Sequence, residues 1–93
     1  MIDRNLLYEM RDACKTIGCY LHNTDRFVCA GIEWLTAHGG PITIERIPEP
    51  DAPDSWVIRS PEFHAGDESL PWALVAAIKT VAFILEEKKG GDQ

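Results

Sequence analysis

Apolar residues recur at steps of three and four over the first part of the chain, from about Asp3 to about Leu21. The members of this stripe are Leu6, Leu7, Met10, Ala13, Cys14, Ile17 and Leu21. Their spacing places them on one face of an amphipathic helix. Asp3 is a residue type that caps a helix N-terminus, and Gly18 weakens the last turn, so the helix ends either near Gly18 or at Leu21.

A second helical pattern extends from about Thr24 to His38. Its stripe consists of Val28, Gly31, Ile32 and Leu35, with Phe27 and Trp34 beside it. Either Asn23 or Thr24 can cap its start. The run at 38–41, His-Gly-Gly-Pro, ends it, because glycine adopts the left-handed cap conformation and proline cannot continue the helix.

The pattern then changes to one typical of β-strands. Residues 42–47 are rich in β-branched side chains, and residues 55–60 are their expected antiparallel partner. The prolines at 48, 50 and 53 predict a stiff connecting loop rather than a tight turn, and Pro61 is expected to end the second strand. The side chains expected to face the core are Ile42, Ile44, Trp56 and Ile58.

The last pattern predicts a long apolar helix from about Ser69 to about Lys88, with Ser69 as its N-cap. Its apolar residues are Trp72, Leu74, Val75, Ile78, Val81, Ala82, Phe83, Ile84 and Leu85. They cover most of the circumference, so the helix passes through the middle of the domain or meets another subunit. The second position is favoured, because two short helices and a hairpin cover only part of it. We therefore expect a homodimer with Trp72, Ile78 and Phe83 in its interface.

These elements predict one small α+β domain over residues 1–89, in the order α-α-β-β-α, followed by a flexible tail at 90–93. The 93 residues are 45% hydrophobic and 26% charged, which is typical of a folded domain. The element order is similar in outline to a winged helix-turn-helix. The wing of such a domain usually carries basic residues for phosphates, whereas this hairpin carries acids, so direct nucleic-acid binding is not expected.

The charge is concentrated in one segment, residues 45–68, which holds seven acids and two bases. Its net charge of −5 accounts for most of the chain's −6. Such a field suits a basic partner or imitates a phosphate backbone. Asp51 and Asp54 would lie about 6–7 Å apart in an extended loop, near the phosphate spacing of one nucleic-acid strand. The alternative is that the acids only keep a surface loop in solution. The candidate partner contacts are Glu45, Glu49, Asp51, Asp54 and Trp56.

We find no catalytic, metal or cofactor motif. The soft ligands are Cys14, Cys19, Cys29, His22, His38 and His64, and none has zinc-finger spacing. Cys14 and Cys19 would lie about 140° apart on a continuous helix, too far around it to share an ion. Cys29 with His38 or His64 could form a nucleophile–base pair, but any chain with this composition offers as much. We expect no metal, no cofactor and no enzyme activity.

The chain lacks a basic N-terminal region followed by an apolar run, so no secretory signal is expected. Three cysteines are an odd number, which favours reduced thiols in a cytosol. The longest apolar run, residues 72–85, is interrupted at Lys79 and is shorter than the roughly 20 residues that cross a bilayer. The expected location is therefore cytoplasmic, without a membrane partner.

The small size, the net charge and the acidic hairpin at 45–54 between helices resemble a class of proteins encoded by phages and mobile elements. This class consists of short acidic anti-defence proteins, anti-CRISPR proteins among them. The resemblance implies a protein that blocks a larger nucleic-acid-handling complex in the bacterial cytosol, by steric or electrostatic means. It is generic and assigns no role to any residue.

Three functions follow from these patterns. The first is a non-enzymatic inhibitor or adaptor that places its acidic hairpin on a basic protein or nucleoprotein surface. The second is a structural homo-oligomer, such as a virion or assembly component, joined through the C-terminal helix. The third is a binder of a small ligand, such as a nucleotide, in a pocket at a dimer interface.

Overall fold

The chain folds into three helices and one three-stranded antiparallel sheet. The computed structural model describes residues 4–21, 23–52 and 54–90. The elements are α1 (Arg4–Ile17), α2 (Thr24–Gly39), β1 (Thr43–Ile47), β2 (Ser55–Arg59), β3 (His64–Asp67) and α3 (Leu70–Gly90). The α+β class that the sequence predicts is confirmed, with one strand more than the pattern indicates. Asp3, Pro53 and positions 91–93 of the expected tail lie outside the described residues.

The sheet has the order β1-β2-β3, so β2 is its central strand. Ile58 lies opposite Ile44 on one side and opposite Ala65 on the other. Residues opposite each other in an antiparallel sheet share a face, and on this face Ile58 is completely buried. Ile42, Ile44 and Trp56 also pack against the core. The inward face that the sequence predicts for the hairpin is therefore confirmed.

The third strand, β3, is the element that the sequence pattern does not reveal. Of its four residues only Ala65 is buried, so no alternation of apolar and polar positions marks it. The chain reverses between β2 and β3 in a tight turn built on Ser60. The Ser60 hydroxyl accepts hydrogen bonds from the N–H groups of Glu62 and Phe63 at 3.1 and 3.2 Å, and the Ser60 N–H donates to the Phe63 carbonyl at 2.8 Å. Pro61 ends β2 as predicted, but it does so inside a second hairpin.

Helix α3 lies in the middle of the domain and packs against α1, α2, β2 and β3. Its buried residues are Ala73, Leu74, Val75, Ala77, Ile78 and Val81. Of the two positions that the sequence leaves open for this helix, the structure shows the first. Ile78 is only 1% exposed, so it cannot contact another subunit from a surface. Its prediction as an interface residue is wrong, because the four elements around α3 bury more of it than the pattern suggests.

Gly39 lets the end of α2 approach its neighbours closely. A Cβ there would lie only 3.0 Å from Phe63 Cε1, whereas a Cβ at Gly31 would lie at an ordinary contact distance of 3.5 Å from Ile78 Cδ1. Gly39 is still helical, and the residue with positive φ that ends α2 is Gly40, at 85°. The two glycines thus have different roles. Gly39 permits close packing, and Gly40 permits the turn that ends the helix.

The other helix ends follow the sequence signals. Asn23 caps α2, because its side chain accepts a hydrogen bond from the Arg26 N–H at 2.8 Å, and Ser69 caps α3 through the Trp72 N–H at 3.4 Å. Helix α1 takes the shorter of its two predicted lengths. It ends at Ile17, and Gly18 follows with a φ of 76°. The predicted inward face of α1 is confirmed, with Met10, Ala13 and Cys14 buried and the rest of the stripe packed against the core.

Glutamate at position 78 should unfold the chain, whereas glutamate at position 83 should not. Ile78→Glu puts an unpaired charge in the core, and we expect it to lower the free energy of unfolding by at least about 4 kcal/mol, most of what a small domain has. The Phe83 side chain is 65% exposed, so Phe83→Glu should cost less than about 1 kcal/mol. Urea unfolding followed by tryptophan fluorescence measures both, and a folded Ile78→Glu protein would contradict the central position of α3.

Candidate protein-binding surface

The β1–β2 hairpin extends from the side of the molecule that the helices do not cover. Within the described parts of the chain, no Cα of a helix lies within 8 Å of a Cα of β1, and β2 is the only element that β1 contacts in this way. Strand β1 is also an edge of the sheet. One of its two backbone edges therefore faces no other strand, and its N–H and C=O groups on that edge are free for a partner.

The sheet has one face towards the helices and one face without a layer over it. Strand alternation puts Glu45 and Val57 opposite each other on the uncovered face. Arg59 lies on the same face, with its Nε 3.9 Å from Glu45 Oε2. The uncovered face thus carries a negative and a positive side chain, Glu45 and Arg59, next to the half-buried Val57. Glu45 is therefore not an isolated negative charge.

A cluster of Arg46, Asp54 and Trp56 closes the base of the loop that joins β1 to β2. The Arg46 Nε–H donates to Asp54 Oδ2 at 2.6 Å, and Arg46 Nη2 contacts the same oxygen. The Arg46 guanidinium carbon lies 5.9 Å from the centre of the Trp56 ring, within the range of a cation–π contact. Arg46 and Trp56 are directly opposite each other in the register. The cluster holds the two strands together and neutralises the Asp54 carboxylate.

The five predicted contacts therefore have different environments. Asp54 is held by Arg46, Glu45 is near Arg59, and Trp56 packs partly against the core. Glu49 and Asp51 are exposed at the loop of the hairpin, and neither makes an ion pair with another described residue. The structure does not leave Asp51 and Asp54 as a row of two free carboxylates, since only Asp51 is free. Of the five predicted contacts, the two acids without a described ion pair therefore lie at the tip of the hairpin.

The residues predicted for an oligomer interface are also separated by the fold. Ile78 is in the core, Trp72 is half-buried, and Phe83 is exposed. Trp72 and Phe83 are eleven residues apart, about three helical turns, so they lie on one face of α3. Ala76 and Thr80 lie between them on this face and are partly exposed.

The cysteines are not placed as a continuous helix would place them. Cys14 is buried, Cys19 is half-buried and Cys29 is exposed. Because α1 ends at Ile17, the chain turns back and brings Cys19 next to Cys14, so the calculated separation of about 140° does not apply. His22 lies outside the described residues. Among the described residues, no group of three or more histidine, cysteine, aspartate or glutamate side chains is arranged to hold a metal ion.

No helix in the described ranges combines the length and apolar character that a membrane crossing requires.

Comparison with protein-family models, with curated proteins and with solved structures finds no match to this chain.

The Arg46–Asp54 pair should contribute a small, measurable coupling energy. Asp54 is 29% exposed and Arg46 is 64% exposed, so water weakens the attraction, and we expect a coupling of about 0.2–1 kcal/mol. A double-mutant cycle with Arg46→Ala, Asp54→Ala and both together, measured by urea unfolding, gives this value. The same cycle on Glu45 and Arg59 is the control, because that pair is separated by 3.9 Å. A larger coupling in the control would contradict the assignment of the hairpin's main ion pair.

Proposed function

We propose that this protein is a non-enzymatic binding protein that covers a basic surface of a protein or nucleoprotein complex with the acidic tip of its hairpin. The observation that carries the proposal is the position of Glu49 and Asp51. Both are exposed, both lie in the loop that follows β1, a strand that no described helix flanks, and neither is neutralised by a described base.

The construction of the hairpin favours binding over mere solubility. Pro48 and Pro50 restrict the backbone of the loop, and the Arg46–Asp54 bond closes its base. A loop that is already ordered loses less conformational entropy when it binds, so more of its contact energy appears as affinity. A loop whose acids served only for solubility would need neither constraint.

The free edge of β1 gives such a partner a second means of attachment. An extended segment can add to an exposed sheet edge through backbone hydrogen bonds. Glu45, on β1, and Glu49, just beyond it, would then lie beside basic side chains of the added segment. Charge complementarity of this kind accelerates association and selects the partner more than it raises affinity. The negative segment at 45–68 would repel nucleic acid itself.

The more specific proposal is inhibition of a nucleic-acid-handling complex, as in the anti-defence proteins that the chain resembles. Such a complex presents a basic groove to the phosphate backbone. An acidic hairpin that occupies part of the groove would compete with nucleic acid without any chemical step. This proposal rests on the same hairpin tip and on the general resemblance in size and charge.

A second candidate function is a homo-oligomer joined through α3. The observation that favours it is the exposed face that runs from Trp72 through Ala76 and Thr80 to Phe83, with Phe83 65% exposed. An exposed phenylalanine on the same helix face as a half-buried tryptophan gives this face two aromatic side chains that could anchor an interface. This function would depend on Phe83 and not on the acids of the hairpin.

Charge reversal at the hairpin tip should separate the two functions. The test variant is Glu49→Lys with Asp51→Lys, and the matched control is Glu86→Lys with Glu87→Lys, which changes the net charge equally at exposed positions on α3. A partner captured from a nuclease-treated bacterial lysate is identified and purified, and its affinity for each variant is measured by calorimetry. We expect at least about tenfold weaker binding for the tip variant, because two attractions become repulsions, and unchanged binding for the control.

Equal affinity of the tip variant and the parent chain would refute the hairpin as the contact. Capture of only the protein's own copies, lost on Phe83→Glu, would support the homo-oligomer instead. Circular dichroism of each variant shows whether the fold is retained, so that lost binding is not mistaken for lost structure.

A further inference from the structure

The end of α1 brings two cysteines together through its backbone hydrogen bonds. The N–H groups of Gly18 and Cys19 both donate to the Cys14 carbonyl, at 2.9 and 3.0 Å. A helix end of this kind, with glycine at positive φ, places the side chain after the glycine against the side chain of the last turn. Here those two side chains are Cys19 and Cys14.

The distances allow a bond between the two sulfurs. The 3.0 Å hydrogen bond from Cys19 N to Cys14 O, together with standard backbone bond lengths, limits the two Cα atoms to a separation of at most about 7 Å. Disulfides join Cα atoms about 4.4–6.8 Å apart. The two thiols are neighbours, because both side chains line the same groove and Cys19 lies close enough to Cys14 to raise its pKa.

The two thiols differ in their surroundings. Burial, together with a smaller contribution from the neighbouring Cys19 thiol, raises the pKa of the Cys14 thiol to about 12. Cys14 therefore stays protonated at neutral pH. Cys19 is half-buried and lines a surface groove together with Cys14. Arg11 and Lys15 line the same groove, so its charged side chains are positive.

We propose that Cys14 and Cys19 form a dithiol site that an anionic low-molecular-weight disulfide, such as glutathione disulfide, converts to an intramolecular disulfide. This modification site is independent of the hairpin. Arg11 and Lys15 attract the carboxylates of the reagent into the groove. The closed bond would join the last turn of α1 to the segment that leads into α2.

The reaction takes place in two exchange steps. The Cys19 thiolate attacks one sulfur of the reagent, forms a mixed disulfide and releases the first reagent thiolate. Cys14 then loses its proton to water, attacks the Cys19 sulfur and releases the second reagent thiolate, which leaves the Cys14–Cys19 bond. Two protein thiols are oxidised and one reagent disulfide is reduced to two thiols, so two electrons are transferred. The high pKa of Cys14 makes the second step the slower one at neutral pH.

The Cys29→Ser chain tests the site, since it retains only the two cysteines in question. The folded protein is incubated with glutathione disulfide, free thiols are blocked with N-ethylmaleimide, and peptides are analysed by mass spectrometry. We expect a transient mixed disulfide at Cys19 and then a Cys14–Cys19 link, with loss of both free thiols. In the Cys14→Ser chain the mixed disulfide should persist, and in the Cys19→Ser chain Cys14 should remain unmodified.

A mixed disulfide at Cys19 that persists in the Cys29→Ser chain, without a Cys14–Cys19 link, would overturn the proposal. The role of the groove has its own test. Lys15→Glu should slow the first step severalfold with glutathione disulfide and leave it unchanged with the neutral hydroxyethyl disulfide. Equal rates of the parent and the Lys15→Glu chain with glutathione disulfide would refute the choice of an anionic reagent.

Discussion

The burial of α3 between the sheet and the other two helices is the constraint on which the rest of the structure depends. A chain of 93 residues can bury only a limited core, and this chain builds its core around a single helix. Leu74 and Ile78 of α3 pack against Gly31 of α2, where an added Cβ would lie at an ordinary contact distance of 3.5 Å from Ile78 Cδ1. The fit is tighter at Gly39, where a Cβ would lie 3.0 Å from Phe63 Cε1 and 3.3 Å from Val81 Cγ2. The close contact at Gly39 thus limits how near α2 lies to α3, and the sheet covers the remaining side.

The same constraint leaves β1 and the loop that follows it away from the helices. Strands β2 and β3 contact α3, and Ile58 of β2 is completely buried. Among the described elements, the Cα atoms of β1 approach only those of β2. The Arg46–Asp54 pair next to Trp56 helps to hold the loop end of β1 against β2. One acid is used for this structural purpose, and the exposed acids Glu49 and Asp51 remain at the tip. The position of this tip away from the helices is what makes it a candidate surface for a basic partner.

The sequence predicts those features that depend on local periodicity and on helix-end residues. It places all three helices, the inward faces of α1 and β2, and the cap at Ser69, and it leaves the cap of α2 open between Asn23 and Thr24. It does not predict β3, because a strand with a single buried alanine has no alternating pattern. It does not reveal that Asp54 is paired with Arg46, because that contact depends on strand register across a loop. The contact between Cys14 and Cys19 likewise depends on where α1 ends. The sequence does not decide this, because Gly18 allows two lengths for the helix.

Native-state hydrogen exchange tests this account most directly. If α3 is the centre of the core and the hairpin is attached only through β2, the amides of residues 73–81 should exchange only through global unfolding. The amides of β1 should exchange through local opening, with a free energy clearly below the global value. Equal protection of β1 and the centre of α3 would contradict the account, as would exchange of α3 before the hairpin.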